Sequence, residues 1–593
     1  MGKGVTTVGE LFSVGMERSP RLDRKDRLLM WLMTAVFTVF TLINLGTLNF
    51  PQTVWNAPEE GNVLIDLGEE KTISAVWFNG NIANGSLLIS GDDGSAYDYS
   101  QAYGEMFSWR KKDFSFTTRY LRLERLSGSV ALNEIAFLDE GGQRLDAQVV
   151  EGPGEGLLDE AGTVPEKAGY FNGMYFDEIY HARTAYEFLH TMSVYEWTHP
   201  PLGKLIIALG IVLFGMTPFG WRVMPALFGA GMLPLMFILG KRLFRRRDYA
   251  FLGTALFALD TMHFAQTRIA TVDVFIVFFI LLMYLFMADY LLAEREGRPL
   301  KKTFIPLGGC GISFGLGVAS KWTGLYAGVG LALLFFAHII AAGIQAEKGE
   351  ARAVWWNRTW KTILFCCVFF VILPGVIYYL SYIPYYRYES ARTGAALGLK
   401  GTLELLVNQQ KSMYSYHSGL TATHSSQSTW YEWPFTARSV WFFYGADDSK
   451  ISNISTFGSP AVWWVSAVAG LCLIVETLCG RMKKDTIERK NALVLLFTAA
   501  AANYLPWTLV PRCTFQYHFF PTAPFMILCG VLLVQHLEDR GELSCRAKWI
   551  WLAAAGVYFV LLLPACSGIP MSRVYAYFLE HVLPTGLLFN GVI

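Results

Sequence analysis

Long apolar runs, most of them closed at one end by a cluster of Lys and Arg, constrain this chain more than any other feature. A run of about 20 apolar residues crosses a bilayer as a helix. In hydrocarbon, only helices and closed barrels satisfy every backbone group. The first run, Leu28 to Leu48, follows Arg18, Arg21, Arg24, Lys25 and Arg27. The positive-inside rule then puts the N-terminus in the cytoplasm. The run is too long for a signal-peptide core and has no small-residue cleavage site after it, so it reads as a permanent anchor. The run Val223 to Gly240 ends at Lys241, Arg242, Arg245, Arg246 and Arg247, which demands the cytoplasmic side. Leu205 to Met216 lies between these two and is too short to span. It reads as a juxtamembrane or re-entrant helix on the outer side.

The remaining spans then fall at residues 251–265, 272–292, 304–319, 323–342, 363–383, 460–478, 492–509, 519–537 and 550–564, for a total of eleven. Each basic cluster between them lands in the cytoplasm. Residues 385–457 form a long outer loop, and the C-terminus is extracytoplasmic. Composition agrees: 53% of the residues are hydrophobic and only 16% charged, against about a quarter charged in a soluble chain. That excludes a soluble enzyme and a disordered protein. The net charge of +1 leaves no basic field for nucleic acid. The nine cysteines form no CxxC pair and read as free thiols, with neither a zinc site nor a disulfide framework.

Residues 49–150 break the pattern. Short alternating runs such as Val63-Leu64-Ile65-Asp66-Leu67 and Ser86-Leu87-Leu88-Ile89-Ser90 are separated by Asn79-Gly80, Asn84-Gly85 and Asp92-Asp93-Gly94. Period-2 runs between turn residues predict an all-β sandwich. The phrases "VLIDLGEEKTISAVWF", "TTRYLRLER" and "LNEIAFLD" resemble discoidin-type, galactose-binding-like modules. Residues 151–169 are rich in Gly, Pro and Glu and read as a linker.

Ionisable residues at a membrane boundary invite a functional reading. Asp177-Glu178 sits within "YFDEIYH", and "THPPLGK" follows, with His199 and Lys204 flanking the start of the short apolar helix. "QTRIATVD" runs from Gln266 to Asp273, "SKWTGLY" from Ser320 to Tyr326, "MYSYHSGLTATHSSQSTWYEWPF" from Met413 to Phe435, and "YLPWTLVPRCTFQYHFFP" from Tyr504 to Pro521. In this order the segments resemble the protein O-mannosyltransferases, a family of the GT-C superfamily of lipid-linked-sugar glycosyltransferases. The resemblance covers roughly residues 170–565. Residues 385–457 are too few for the MIR β-trefoil of eukaryotic members, so the chain is similar to the prokaryotic type.

The resemblance implies a GT-C fold, a polyprenyl-phosphate-mannose donor in the bilayer, and a Ser or Thr hydroxyl of an exported protein as acceptor, with no cofactor and no metal. A second reading keeps the fold and moves the acceptor to a cell-envelope polysaccharide or lipid. A transporter is disfavoured because charge gathers at one face and not at midplane. A receptor would need only one anchor. The resemblance makes Asp177 the base and Glu178 its companion. Arg222, Arg268, Lys321 and Arg512 lie at the outer ends of expected spans and, with Lys204, are the candidates for the donor phosphate and sugar, the last three of the four converging on the phosphate and Arg512 first among them. The resemblance assigns His199, His181, Asp273, Tyr416, His417 and His424 to the acceptor and sugar site. The chemistry is coherent. A phosphate leaves unaided once its charge is held, so one carboxylate base and some cations suffice, where a glycosidase needs two carboxyl groups.

The expected organisation is a cytoplasmic segment 1–27, an anchor helix 28–48, an extracytoplasmic sandwich 49–150, a linker 151–169, a catalytic membrane core 170–565 and an extracytoplasmic tail 566–593, in the cell membrane.

Overall fold

The computed structural model describes residues 21–101, 105–346 and 349–581. Contacts divide them into two compact units. One comprises Asn44–Tyr186 with Ile207–Met224, and the other takes the remaining described residues.

The larger unit is helical. Among the described residues, eight helices are long and apolar enough to cross a membrane: Pro218–Phe244, Asp273–Arg295, Leu300–Ser320, Gly324–Gln345, Glu350–Ser381, Pro460–Leu478, Ile487–Leu509 and Ala547–Ser567. The chain is a multi-pass membrane protein. The most apolar stretch of Asp273–Arg295 is 78% buried and that of Glu350–Ser381 only 6%. The first is a central helix and the second presents its side chains outward.

Three expected spans differ from this set. The first apolar run forms Arg24–Leu42, opened by a capping box between Asp23 and Asp26. Asp26 is buried and pairs with Lys241 at 3.1 Å and Arg247 at 2.6 Å. The last differing run forms Ala523–Asp539, 17 residues long. The run 251–265 is not one helix but two, Arg247–Ala258 and Thr261–Thr267. Asp260 interrupts it. Its side chain caps the second helix by accepting from the His263 amide at 3.4 Å, and it also accepts from the Ser459 amide at 3.1 Å. An acid with such partners favours a helix start over a helix interior. The short run 205–216 forms the 13-residue helix Leu202–Phe214, which begins directly after Pro200-Pro201 and stops before Gly215.

In the smaller unit, seven strands form one hydrogen-bonded sheet: β1 (Trp55–Asn56), β2 (Asn62–Gly80), β3 (Asn84–Gly91), β4 (Ala96–Gln101), β5 (Trp109–Ser129), β6 (Ala131–Leu138) and β7 (Gln148–Glu151). Their order is β1-β6-β2-β5-β3-β4, with β7 also on β2. β2 and β5 are long, and their register shifts between Asp66 and Lys71. Asp66 holds this irregularity by accepting two hydrogen bonds from Arg119, at 2.9 and 3.0 Å, and one from the Gly68 amide at 2.8 Å. On one side of the shift β2 pairs with β7, and on the other with β6. Both halves send buried residues into a single core: Val63, Ile65, Leu87 and Leu123 from one, Val76, Phe78, Phe116 and Ile135 from the other. Bulged strands that turn a corner make one sheet serve as two layers. Residues 151–169, read from composition as a linker, supply the fully buried Leu157 to that core.

This unit also holds the loop that carries Asp177. The Met174 amide donates to the Phe107 carbonyl at 3.2 Å, and Ser108 bridges to Gly173. The rings of Phe107 and Tyr186 pack at 5.1 Å. The sandwich is therefore a brace for the acidic loop.

Candidate active site

The acidic pair divides by environment. Phe176 adopts a left-handed backbone conformation, φ 48°, which a bulky residue takes only under local constraint. The helix Glu178–Leu189 starts immediately after it, and the Asp177 carbonyl accepts the amides of Tyr180 and His181 at 3.0 Å. Asp177 is half-buried at the positive end of this helix, where the dipole favours a carboxylate. Glu178 is fully buried. Its Oε1 accepts from Arg222 Nε at 2.7 Å. Its Oε2 accepts from Arg222 Nη2 at 2.7 Å, Trp221 Nε1 at 3.1 Å and the Tyr175 amide at 3.2 Å.

Arg222 spends all five donors inside the protein. Besides Glu178, it donates to the carbonyls of Leu45 at 2.9 Å, Tyr170 at 2.7 Å and Gly173 at 2.7 Å. It has no hydrogen to offer a phosphate, so its expected role is corrected to that of a clamp under the acidic loop. Glu178 belongs to the same clamp. His181 is buried one turn along the helix.

The larger unit carries the other expected residues. Lys204 is fully buried and donates to the Glu196 carbonyl at 2.6 Å, to the Glu196 carboxylate, and to the His199 carbonyl at 3.0 Å. It ties down the turn before Pro200 and is corrected likewise. Glu196 accepts from the Thr198 amide at 2.8 Å and pairs with His199 Nδ1 at 3.0 Å. Arg268 donates to the carbonyls of Thr41 at 2.6 Å and Ile43 at 2.7 Å, at the exit of the first helix. Lys321 pairs with Asp273 at 2.7 Å.

His417 joins the His-Pro-Pro turn. Its Nε2 donates to the Thr198 carbonyl at 2.8 Å, and its ring lies 5.7 Å from that of His199 and 6.3 Å from Trp322. Its neighbour Tyr416 packs edge-on against Trp197 at 5.7 Å. Burial, aided by His199, Arg512 and Lys321, lowers the His417 pKa to about 4. The ring is therefore neutral at physiological pH. His518, which the sequence reading passed over, is in the same neighbourhood. Burial and then Lys321 and Arg512 push it well below its usual range. His424 is exposed and packs edge-on against Phe515 at 5.3 Å.

Arg512 differs from all the other expected cations. Among the described residues its guanidinium has no hydrogen-bond or ion-pair partner, although its charge acts on His417, His518 and Tyr326. The guanidinium is half-buried, and its planar fork of donors has the geometry to accept an oxyanion. Glu196 and His518 escaped sequence reading for different reasons. Glu196 has only its three-residue spacing to His199, and His518 lies inside a motif in which the arginine is the stronger signal.

Comparison with known proteins identifies the family. Residues 212–385 match the model for dolichyl-phosphate-mannose-protein mannosyltransferase, and residues 402–582 match the C-terminal four-TMM region of protein-O-mannosyltransferase. A polyprenol-phosphate-mannose–protein mannosyltransferase of Mycobacterium tuberculosis is 24% identical over 78% of this chain and 92% of its own length. Its counterpart from Corynebacterium glutamicum is 27% identical over 58% of this chain and 72% of its own. The fold matches a chain of the Saccharomyces cerevisiae protein O-mannosyltransferase Pmt1–Pmt2 complex bound to the sugar donor, with a TM-score of 0.59, 13% identity, and coverage of 69% of this chain and 88% of that one. With both family models matched in chain order and a GT-C fold beneath them, this chain belongs to the protein O-mannosyltransferase family.

Proposed function

We propose that the protein transfers mannose from a polyprenyl-phosphate-mannose donor to Ser or Thr hydroxyls of exported proteins, on the extracytoplasmic face of the cell membrane. The observation that carries this reading is the contrast among the cations. Arg222, Lys204 and Arg268 are engaged by protein acceptors and Lys321 is held by Asp273, whereas Arg512 has no partner among the described residues. Arg512 then binds the donor phosphodiester, and Lys321 supports it. Glu178 is held by Arg222, and Asp177, half-buried at the positive end of its helix, is the carboxylate that takes the acceptor proton. The acceptor oxygen attacks the anomeric carbon as the bond to phosphate breaks. The proton goes to Asp177, and polyprenyl phosphate leaves with its charge held by Arg512. One displacement inverts the anomeric centre. His199, His417 and Tyr416 meet the sugar and acceptor.

The names of the mycobacterial and corynebacterial relatives support mannose and a protein acceptor. The test is acceptor competition. Purified protein is given labelled polyprenyl-phosphate-mannose with a Ser/Thr-rich secreted peptide and an envelope polysaccharide together. Label on the peptide is the expected result. Label on the polysaccharide alone would move the function to a glycan-directed GT-C enzyme.

A further inference from the structure

The helix Leu399–Gly419 follows the span Glu350–Ser381 in sequence and carries three kinds of surface. The helical period puts Thr402, Leu405, Leu406 and Met413 on one face. Thr402 and Met413 are buried, and Leu405 and Leu406 pack into the cluster of Tyr382, Tyr385 and Tyr386. The adjoining sector, Leu399, Leu403, Val407 and Tyr414, is apolar yet open, each residue at least 44% exposed. The third sector, Lys400, Glu404, Asn408, Lys411 and Ser415, is polar and exposed. A helix whose partner is only the protein needs one buried face and one polar face. The open apolar sector between them needs a second partner.

Two features say what that partner is. First, the helix lies across the end of the span. Tyr378 and Tyr379 are neighbours, about 1.5 Å apart along the span axis. Their hydroxyls reach positions eight residues apart on this helix, Gln410 at 2.5 Å and Thr402 at 2.7 Å. Eight residues of helix cover about 12 Å, so the two axes are transverse. A helix transverse to a span at its end runs along the membrane plane. Secondly, the span itself faces lipid. Its most apolar stretch is only 6% buried, and Ile372, Val376 and Leu380 in its last turns are all exposed. The open apolar sector thus adjoins a surface that hydrocarbon covers. Lys400 and Lys411 line a shallow groove together with Leu403 and Val407, the border position that cations of an interfacial helix occupy. Tyr414 is of the residue type enriched at that boundary.

We propose that the helix Leu399–Gly419 lies in the surface of the bilayer. Leu399, Leu403, Val407 and Tyr414 enter the boundary between headgroups and acyl chains, and Lys400 and Lys411 meet anionic lipid phosphates. The inference rests on the proposed function only for the leaflet, which is the extracytoplasmic one. His417, near the end of this helix, bonds to the Thr198 carbonyl at 2.8 Å. The bilayer surface therefore sets the height of the His-Pro-Pro turn.

The test needs no sugar transfer, so a failure to transfer mannose would count against the proposed function and leave this result to judge the helix. In the full chain, p-benzoylphenylalanine replaces Leu403, Val407 or Asn408, one at a time. Each variant is irradiated in nanodiscs of equal phosphatidylcholine and phosphatidylglycerol, with a Ser/Thr-rich peptide in the buffer. Phospholipid adducts are expected at positions 403 and 407 and not at 408. Adducts at 403 and 407 with a second copy of the chain or with the peptide, in place of lipid, would overturn the proposal. Equal lipid labelling at all three positions, or at none, would overturn it too. Among the lipid adducts, phosphatidylglycerol should exceed phosphatidylcholine by about fivefold, the weight of one lysine near a charged surface. Lys400→Gln with Lys411→Gln should bring the two lipids to parity. Parity with both lysines present would contradict their contact with anionic lipid.

Discussion

Arg222 and Arg512 are both arginines at expected outer ends of spans, yet the structure holds them in opposite ways. Arg222 is fully buried with every donor satisfied by Glu178 and three carbonyls. Arg512 is half-buried and, among the described residues, has no partner. The first closes its electrostatics within the fold and so stabilises a shape. The second keeps its charge open, and for that reason it is the one proposed for the donor phosphate. Residue type and expected position put both arginines in one group, and the pairing sorts them.

The largest expected effect is at Asp177. Asp177→Asn should lower transfer on the order of 10³-fold, within the range for general base catalysis, with donor binding retained, as checked by photolabelling. Comparable loss of donor binding would contradict its role as the base.

Next comes the clamp. Arg222→Met leaves the Glu178 carboxylate buried and uncompensated, which costs about 3–5 kcal/mol. The expected outcome is a lower Tm in detergent and increased proteolysis of the loop around Asp177. A variant of unchanged stability with weakened donor binding would reverse the assignment. Arg512→Gln should do the opposite, with Tm unchanged and kcat/KM reduced about 10²–10³-fold, the magnitude of one lost charge-stabilising donor.

The smallest effect tests a closed carboxylate elsewhere in the sandwich unit. Glu134 is fully buried, accepts the Glu160 amide at 2.6 Å and leaves Oε1 without a partner. Burial, with Asp159 and Glu160 nearby, raises its pKa from 4.5 to about 8. The folded state therefore binds a proton that the unfolded state has lost between those values, and stability falls as pH rises from 4.5 through 8. Glu134→Gln keeps an acceptor for the Glu160 amide and removes this dependence. Its Tm should exceed that of the wild type at pH 8, with the gap closing toward pH 5. A constant gap would show that Glu134 does not titrate there.

Much of this fold is legible in the sequence because a bilayer imposes one rule over some twenty consecutive residues. Apolar length alone locates Asp273–Arg295 and Gly324–Gln345 to within a few residues. The break at Asp260 is not legible that way, since it depends on the Ser459 amide, far along the chain. Alternating runs reveal the strands, but not that Asp66 and Arg119 bend one sheet into two layers. Composition marks residues 151–169 as a linker and misses Leu157 in the core. At the candidate site, motif order singles out Asp177, His199, Lys321 and Arg512. It does not identify the partners. Glu178 meets Arg222 across 44 positions and Lys321 meets Asp273 across 48. Such separations carry no local pattern, so open and closed charges look alike until the chain is folded.

The most direct measurement is single-turnover transfer of labelled mannose from pre-bound polyprenyl-phosphate-mannose to a Ser/Thr-rich peptide, comparing wild type, Asp177→Asn and Arg512→Gln. Asp177→Asn should hold the donor and fail to transfer, while Arg512→Gln should lose the donor. Transfer by Asp177→Asn at the wild-type rate, or normal donor retention and turnover by Arg512→Gln, would contradict the account.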